Sequence, residues 1–457
     1  MPTQFSRSSL FSEIRTLLLL SLPIIANGLL ESSGGFMNTF LVAHLGEKEL
    51  AASALVTMLF VTLMVIFWGT ISGVSIVIAH YHGAEDKPAI RGVVRDSILL
   101  SLIIAIPIMI LLWFAPDIFK WTGQSDFIVH ESKRYLHALV WAVPFDLPGF
   151  AIMQLFQGIS KPRINFIFTM AYIPFLIWMN YLFMFGKFGL PALGLAGVGW
   201  STTIAYALYT VAMALFIYYT PFYCDYADFR KASKKHFFGE ILKIGLPLGV
   251  MYSCELGYFL VLAIFFGRMS QTILSAHQIT IQYFWIAMTL VFAFSQAFSI
   301  RIGWRLGRKE PEWVLPITLM STGVITLLSI LIAILYWLFP VILINLDFIH
   351  APKPDPALVN TAVLLFFYVA LFQIVESVRL TLFAILRGLK DTRFTLYTSV
   401  LSFWGIALPV GYYLAFIRNQ NYAQGLWIGL IFSAMVSIAI LSFRLKYKIQ
   451  AIKKGVE

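Results

Sequence analysis

Residues 375–393 read VESVRLTLFAILRGLKDTR. Glu376 and Arg379 stand inside an apolar run that ends at Gly388 and a cluster of charge, Lys390, Asp391 and Arg393. An ionised side chain in hydrocarbon costs about 3 kcal/mol or more, so such groups face a bundle interior or a wet cavity and mark an ion or substrate path. The same layout occurs earlier, as DLPGFAIMQLFQGISKPR over residues 146–163. A shift of 230 residues lays Asp146 on Glu376, Gly158 on Gly388 and Arg163 on Arg393. That coincidence points to an internal duplication.

Working outward, 60% of the 457 residues are hydrophobic and 12% charged, with a mean hydropathy of +0.83. Such a chain is a polytopic, all-α membrane protein. Its first apolar run is long, carries Glu31 and has no clean small-residue cleavage site, so it reads as a retained helix. The formal charge of +11 suits loop topology better than a nucleic-acid partner. The two cysteines, Cys224 in a basic loop and Cys254 in mid-helix, support neither a disulfide framework nor a cysteine metal site.

Runs of about 20 apolar residues, each able to cross the hydrocarbon core, predict twelve spans. They fall at residues 15–45, 50–82, 93–115, 134–158, 164–187, 195–219, 240–267, 272–304, 314–346, 358–387, 394–417 and 422–445. Most of the 33 Lys and Arg then lie in loops on the side of the two termini, Arg387 and Arg301 among them, with Arg379 left alone inside a span. The positive-inside rule places both termini in the cytoplasm. The longest polar stretch divides six spans from six, giving an N-lobe over 1–223, a linker over 224–239 and a C-lobe over 240–457 with a basic tail. A shift of 224 residues lays Pro23 on Pro247, Glu31 on Glu255, Ala52 on Ala276 and Gly83 on Gly307. An even number of spans per half gives both halves one orientation, as in parallel-repeat transporters.

Pro23 and Pro247 lie inside their helices, where each removes a backbone hydrogen bond; matched in both halves, they read as hinges, although membrane helices also carry prolines for structure alone. Glu31 and Asn38 are two turns apart on one face, with Gly34 and Gly35 beside them permitting close helix approach. Glu255 is flanked by Tyr252 and Tyr258, and Glu376 by Gln373 and Ser377. Two membrane carboxylates with hydroxyl and amide oxygens suit Na⁺, or a proton held by coupled acids. Arg379, three residues beyond Glu376, offers either a structural salt bridge or a conformational switch partner. Gln278 and Gln282 share one face of the eighth span beside Tyr283, Phe284 and Trp285, which suits a cleft for flat organic molecules. His277, His80 and His82 have no zinc spacing, and no GxxxxGK[ST] run points to ATP.

The stretches QGISKPRINFIF, MNYLFMFGKFGLPALGLAGVGWST, LKIGLPLGV, LSAHQITIQYF and ILRGLKDTR resemble the multidrug and toxic compound extrusion (MATE) family, nearest its NorM-like branch, over nearly the whole chain. The resemblance implies twelve helices in two pseudo-symmetric six-helix lobes around a V-shaped cleft, and export of organic compounds in exchange for Na⁺ or H⁺. It places Glu255 and Glu376 at the family's acidic positions on helices seven and ten, and Asn180 at the Asn of its helix-five motif. Asn38 stands where the family usually has an aspartate, with Glu31 as a substitute. Phe372 replaces a frequent Tyr, and Arg379 a Gln-like neutral residue. Asp146 and Tyr252 are expected to support the substrate cleft, together with Gln278 and Gln282.

The expected role is a secondary antiporter in a bacterial plasma membrane, a monomer with no cofactor, whose partners are a small organic substrate, membrane lipid and the coupling ion. The alternative is a lipid-linked oligosaccharide or lipid flippase of related fold, which should line its cleft with more cationic residues than Arg379. A membrane-embedded enzyme needs a compact nucleophile, base or metal set, and no such spacing occurs.

Overall fold

The computed structural model describes residues 7–346, 355–418 and 422–453. Lys353 and Lys454, two of the 33 Lys and Arg, lie outside them. Twelve helices among the described residues are long and apolar enough to cross a membrane. They are α1 (Phe11–Ala43), α2 (Glu47–Gly83), α3 (Lys87–Trp121), α4 (Asp126–Gly158), α5 (Pro162–Phe185), α6 (Leu195–Tyr219), α7 (Phe238–Met269), α8 (Gln271–Gly307), α9 (Pro311–Leu338), α10 (Pro356–Gly388), α11 (Thr392–Arg418) and α12 (Ala423–Ile452). The expected spans all occur in order; the third and fourth begin earlier than expected, and the ninth, expected to reach residue 346, ends at Leu338, where Pro340 opens a separate short helix, Pro340–Leu346. Hydrocarbon offers backbone groups no partners, so each span must satisfy its own. The ends use side chains where they can: Asp86 accepts from the Ala89 amide at 3.0 Å and Ser270 from that of Ile273 at 3.1 Å.

The duplication is legible in the backbone. Glu85, Ser160, Lys309 and Lys390 all adopt a left-handed conformation, with φ between 58° and 62°. Each ends a helix with the same closing bond, the next residue's amide reaching back five positions: Asp86 to Tyr81, Lys161 to Phe156, Glu310 to Arg305 and Asp391 to Leu386. Two of these turns are related by the 224-residue shift and two by the 230-residue shift. Side-chain packing repeats as well. A Cβ on Gly158 would come within 2.7 Å of Ile78, and one on Gly388 within 2.8 Å of Ile302, so α4 on α2 and α10 on α8 use the same close approach.

Compact packing divides the chain into one unit of Leu22–Val250 and another of Met1–Ser21 with Met251–Glu457. The linker and the start of α7 belong to the first unit. There Arg91 binds Asp225 at 2.6 Å, the Phe237 amide donates to Asp96 at 2.6 Å, and Gly245 lies so close to the Thr70 carbonyl that no side chain fits. In the other unit the start of α1 is held by Glu13, which accepts from Arg301 at 2.5 and 2.7 Å and from Arg305 at 2.7 Å. The lobe boundary drawn through the linker follows chain order, whereas packing changes partners inside α1 and α7, beside Pro23 and Pro247.

Candidate functional site: two sets of membrane carboxylates

In the unit containing Met251–Glu457, the helix α10 places Glu376 and Arg379 one turn apart, and the guanidinium folds back onto its neighbour. Nε donates to Glu376 Oε2 at 2.8 Å and Nη2 to Oε1 at 2.5 Å. Nη2 also reaches Glu255 Oε1 on α7 at 3.1 Å, while Nη1 donates to Ser399 Oγ on α11 at 3.0 Å. Ser399 donates in turn to Glu255 Oε1 at 3.0 Å. The Phe403 ring lies 5.0 Å from the guanidinium carbon, carried by a π-helical stretch of α11, Leu401–Ala407. Such stretches cost regular hydrogen bonds and recur at functional positions. The Arg379 side chain is only 1% exposed, that of Glu376 6% and that of Glu255 12%.

The structure thus brings together Glu255 and Glu376, the two acids singled out in the second half of the sequence. Arg379, the i,i+3 neighbour expected as a salt-bridge partner of Glu376, binds both acids, and burial of its charge alone would be prohibitive. Tyr252, expected to support the substrate cleft, accepts from Arg387 at 3.2 Å. Arg387, at the last turn of the apolar run, reads from sequence as a loop residue. It is buried within α10, donating to Ser299 at 2.8 Å and Gln296 at 3.4 Å. Arg301 is likewise inside α8. Phe372 stacks on Phe284 at 5.4 Å and packs beside Trp427, so it serves the apolar core. His277 lies against Phe266 at 4.2 Å in that same core.

The unit Leu22–Val250 holds the other set. Glu31 and Asn38 on α1, Asp146 on α4 and Asn180 on α5 line one cavity of about 780 Å³. Asp146 is buried and accepts from Trp68 Nε1 at 2.8 Å; Glu31 accepts from Asn27 at 2.8 Å. Asn180 donates to Asn38 at 3.2 Å and accepts from Ser201, so an amide network stands where a carboxylate was expected from the family pattern. Tyr172 stacks on Tyr206 at 5.5 Å and meets Tyr209 at 5.2 Å, and all three rings line the cavity. Among the described residues no Lys or Arg lines the cavity, so neither carboxylate has a described cation beside it in the wall.

Sequence reading did not find Trp68, Tyr172, Tyr206, Tyr209 or Ser399. Trp68 and Ser399 pair with residues far along the chain, and the tyrosines sit in aromatic runs like many others. Gln278 and Gln282 do share a face of α8, but it is exposed and neither joins the hydrogen bonds described for the carboxylates.

The MatE family model matches residues 23–182 and 247–413, one segment in each half. The probable multidrug resistance protein NorM of Shewanella oneidensis is 28% identical over 448 residues, covering 95% of each chain. That of Synechocystis is 28% identical over 442 residues, again 95% of each. An outward-facing multidrug resistance MATE family transporter superposes with a TM-score of 0.86 at 16% identity over 96% of each chain, and a eukaryotic MATE transporter with 0.82 at 18% identity over 98% of this chain and 100% of its own. These structural likenesses establish the all-α, twelve-span fold; with the matched halves and the full-length relatives, they show that the chain belongs to the MatE family of membrane transporters.

Proposed function

We propose that the protein is a secondary antiporter that exports organic compounds from the cytoplasm across a bacterial plasma membrane in exchange for an inward-moving cation, with both termini cytoplasmic. It is a transporter rather than an enzyme, as its full-length NorM relatives and family are. The observation that carries the reading is the contrast between the two carboxylate sets. Glu255 and Glu376 share one guanidinium, whereas Glu31 and Asp146 open on a cavity whose wall supplies no cation.

The coupling ion is best taken as H⁺, acting at Glu31 and Asp146. A proton needs only one carboxylate, and each of these acids has a single neutral N–H partner described, from Asn27 and Trp68. Na⁺ calls for several oxygens converging on one point. Ionised, the pair favours a substrate that brings positive charge or hydrogen-bond donors; protonated, it loses that attraction and releases it. A ligand shifts a two-state carrier only by its differential affinity, so proton and substrate must prefer different arrangements of these side chains. The stacked tyrosines supply flat faces for an organic ring. Glu31→Gln and Asp146→Asn, reconstituted in proteoliposomes under an imposed pH gradient, test this: both are expected to abolish gradient-driven export while keeping the fold.

A further inference from the structure

We propose that Arg379 is the residue that decides ion specificity in the unit holding Met251–Glu457, its guanidinium occupying the place of a metal cation among Glu255, Glu376 and Ser399. The inference rests on the antiporter reading for its physiological meaning and deepens it. The atoms around the guanidinium form an oxygen set: both carboxylate oxygens of Glu376, Oε1 of Glu255 and Oγ of Ser399, drawn from three helices and all within 3.1 Å of a guanidinium nitrogen. Carboxylates and a hydroxyl converging on one point are what a hard cation such as Na⁺ would take.

Here the cation is covalently attached. Arginine stays protonated at any physiological pH, so the charge cannot leave by titration. Its tether keeps it at a high local concentration that free Na⁺ has to overcome. It is also stacked on Phe403 at 5.0 Å and bonded through Nε, Nη1 and Nη2, so displacing it breaks several contacts at once. Gln373, one turn before Glu376, is fully buried, with both amide atoms unpartnered among the described residues. A dehydrated amide oxygen is thus already close along the helix, ready to serve a cation once the guanidinium is gone. The consequence is that this unit does not bind Na⁺ in the native protein, and that removing one side chain creates a Na⁺ site.

The test is equilibrium binding of radiolabelled Na⁺ to purified protein, with choline replacing Na⁺ in the competing buffer. It is read without transport, so its outcome is separate from that of the export assay. Wild type is expected to show no saturable binding, whereas Arg379→Gln gains saturable binding that the further change Glu376→Gln removes. Saturable Na⁺ binding by wild type that Glu376→Gln or Glu255→Gln abolishes overturns the proposal. A folded Arg379→Gln protein with no Na⁺ binding overturns it too. Arg379→Gln that folds only when purified in Na⁺, and not in choline, supports it; if that variant folds in neither salt, the wild-type measurement alone decides.

Discussion

Arg379 binds Glu376 through Nε and Nη2 on its own helix and Glu255 through the same Nη2 from another, so one buried guanidinium is shared by two membrane carboxylates. Removing one member of a buried ion cluster is far costlier than the cluster's net worth, because the charges left behind have no solvent. Arg379→Gln should therefore destabilise the protein by about 3–5 kcal/mol in Na⁺-free buffer. Glu376→Gln should cost less, since Arg379 keeps Glu255 and Ser399. Denaturation of both variants in detergent, by a tryptophan-fluorescence melt, checks that order.

The clamp at the start of α1 makes a local prediction. Glu13 is 3% exposed and accepts from Arg301 and Arg305, while Arg305 and Arg308 also bind Glu310 at 2.5 and 2.9 Å. Glu13→Gln removes the one carboxylate that ties α1 to this group. Amide exchange at residues 11–21 should accelerate by about tenfold or more, the equivalent of at least 1.4 kcal/mol. Glu310→Gln, which leaves Glu13 bound to both arginines, should not change exchange in that segment.

Linker anchoring should depend on pH. The Lys87 hydrogen bond, with Arg91 beside it, holds the Asp225 carboxyl below its ordinary range. A lowered folded value means the anchoring is fully present above the unfolded carboxylate value of about 3.9 and is lost as pH falls below it. At neutral pH, Asp225→Asn should expose the linker to limited proteolysis at residues 224–239. Wild type should reach that susceptibility only below about pH 4, read with an acid-active protease.

Matched glycines predict matched penalties. A Cβ at Gly158 or Gly388 would stand 2.7 or 2.8 Å from an isoleucine Cβ and within 2.9 Å of a backbone carbonyl. Neither neighbour can swing aside, so Gly158→Ala and Gly388→Ala should each cost about 1–3 kcal/mol. Gly35→Ala, with nothing within 4 Å, should be near neutral. Thermal melts of the three variants compare them directly.

The spans and the duplication were legible because both follow from local signals: apolar length for the helices, and paired Pro, Gly and acidic positions for the repeat. Glu376 and Arg379 were readable as helix neighbours. The link to Glu255 needed the crossing of α7 and α10, which no periodicity encodes. Tyr252 and Arg387 illustrate the same limit from the other side. A tyrosine near a carboxylate in sequence and an arginine at the end of an apolar run carry no local sign of each other, yet the two meet inside the unit. Glu31 and Asp146 stood out as acids inside apolar helices and Asn180 only through the family resemblance; that the three share a cavity with Asn38 depends on how α1, α4 and α5 pack, which the sequence pattern does not encode.

We place coupling at Glu31 and Asp146 and hold the cluster of Glu255, Arg379 and Glu376 closed to ions, a proposal that decides which gradient drives export. Its most direct test is substrate export from proteoliposomes driven by either a pH gradient or a Na⁺ gradient, in wild type, Glu31→Gln and Glu376→Gln. On this proposal wild-type export follows the pH gradient alone, Glu31→Gln abolishes it, and Glu376→Gln keeps its pH dependence. Export driven by the Na⁺ gradient, lost in Glu376→Gln and intact in Glu31→Gln, would contradict it.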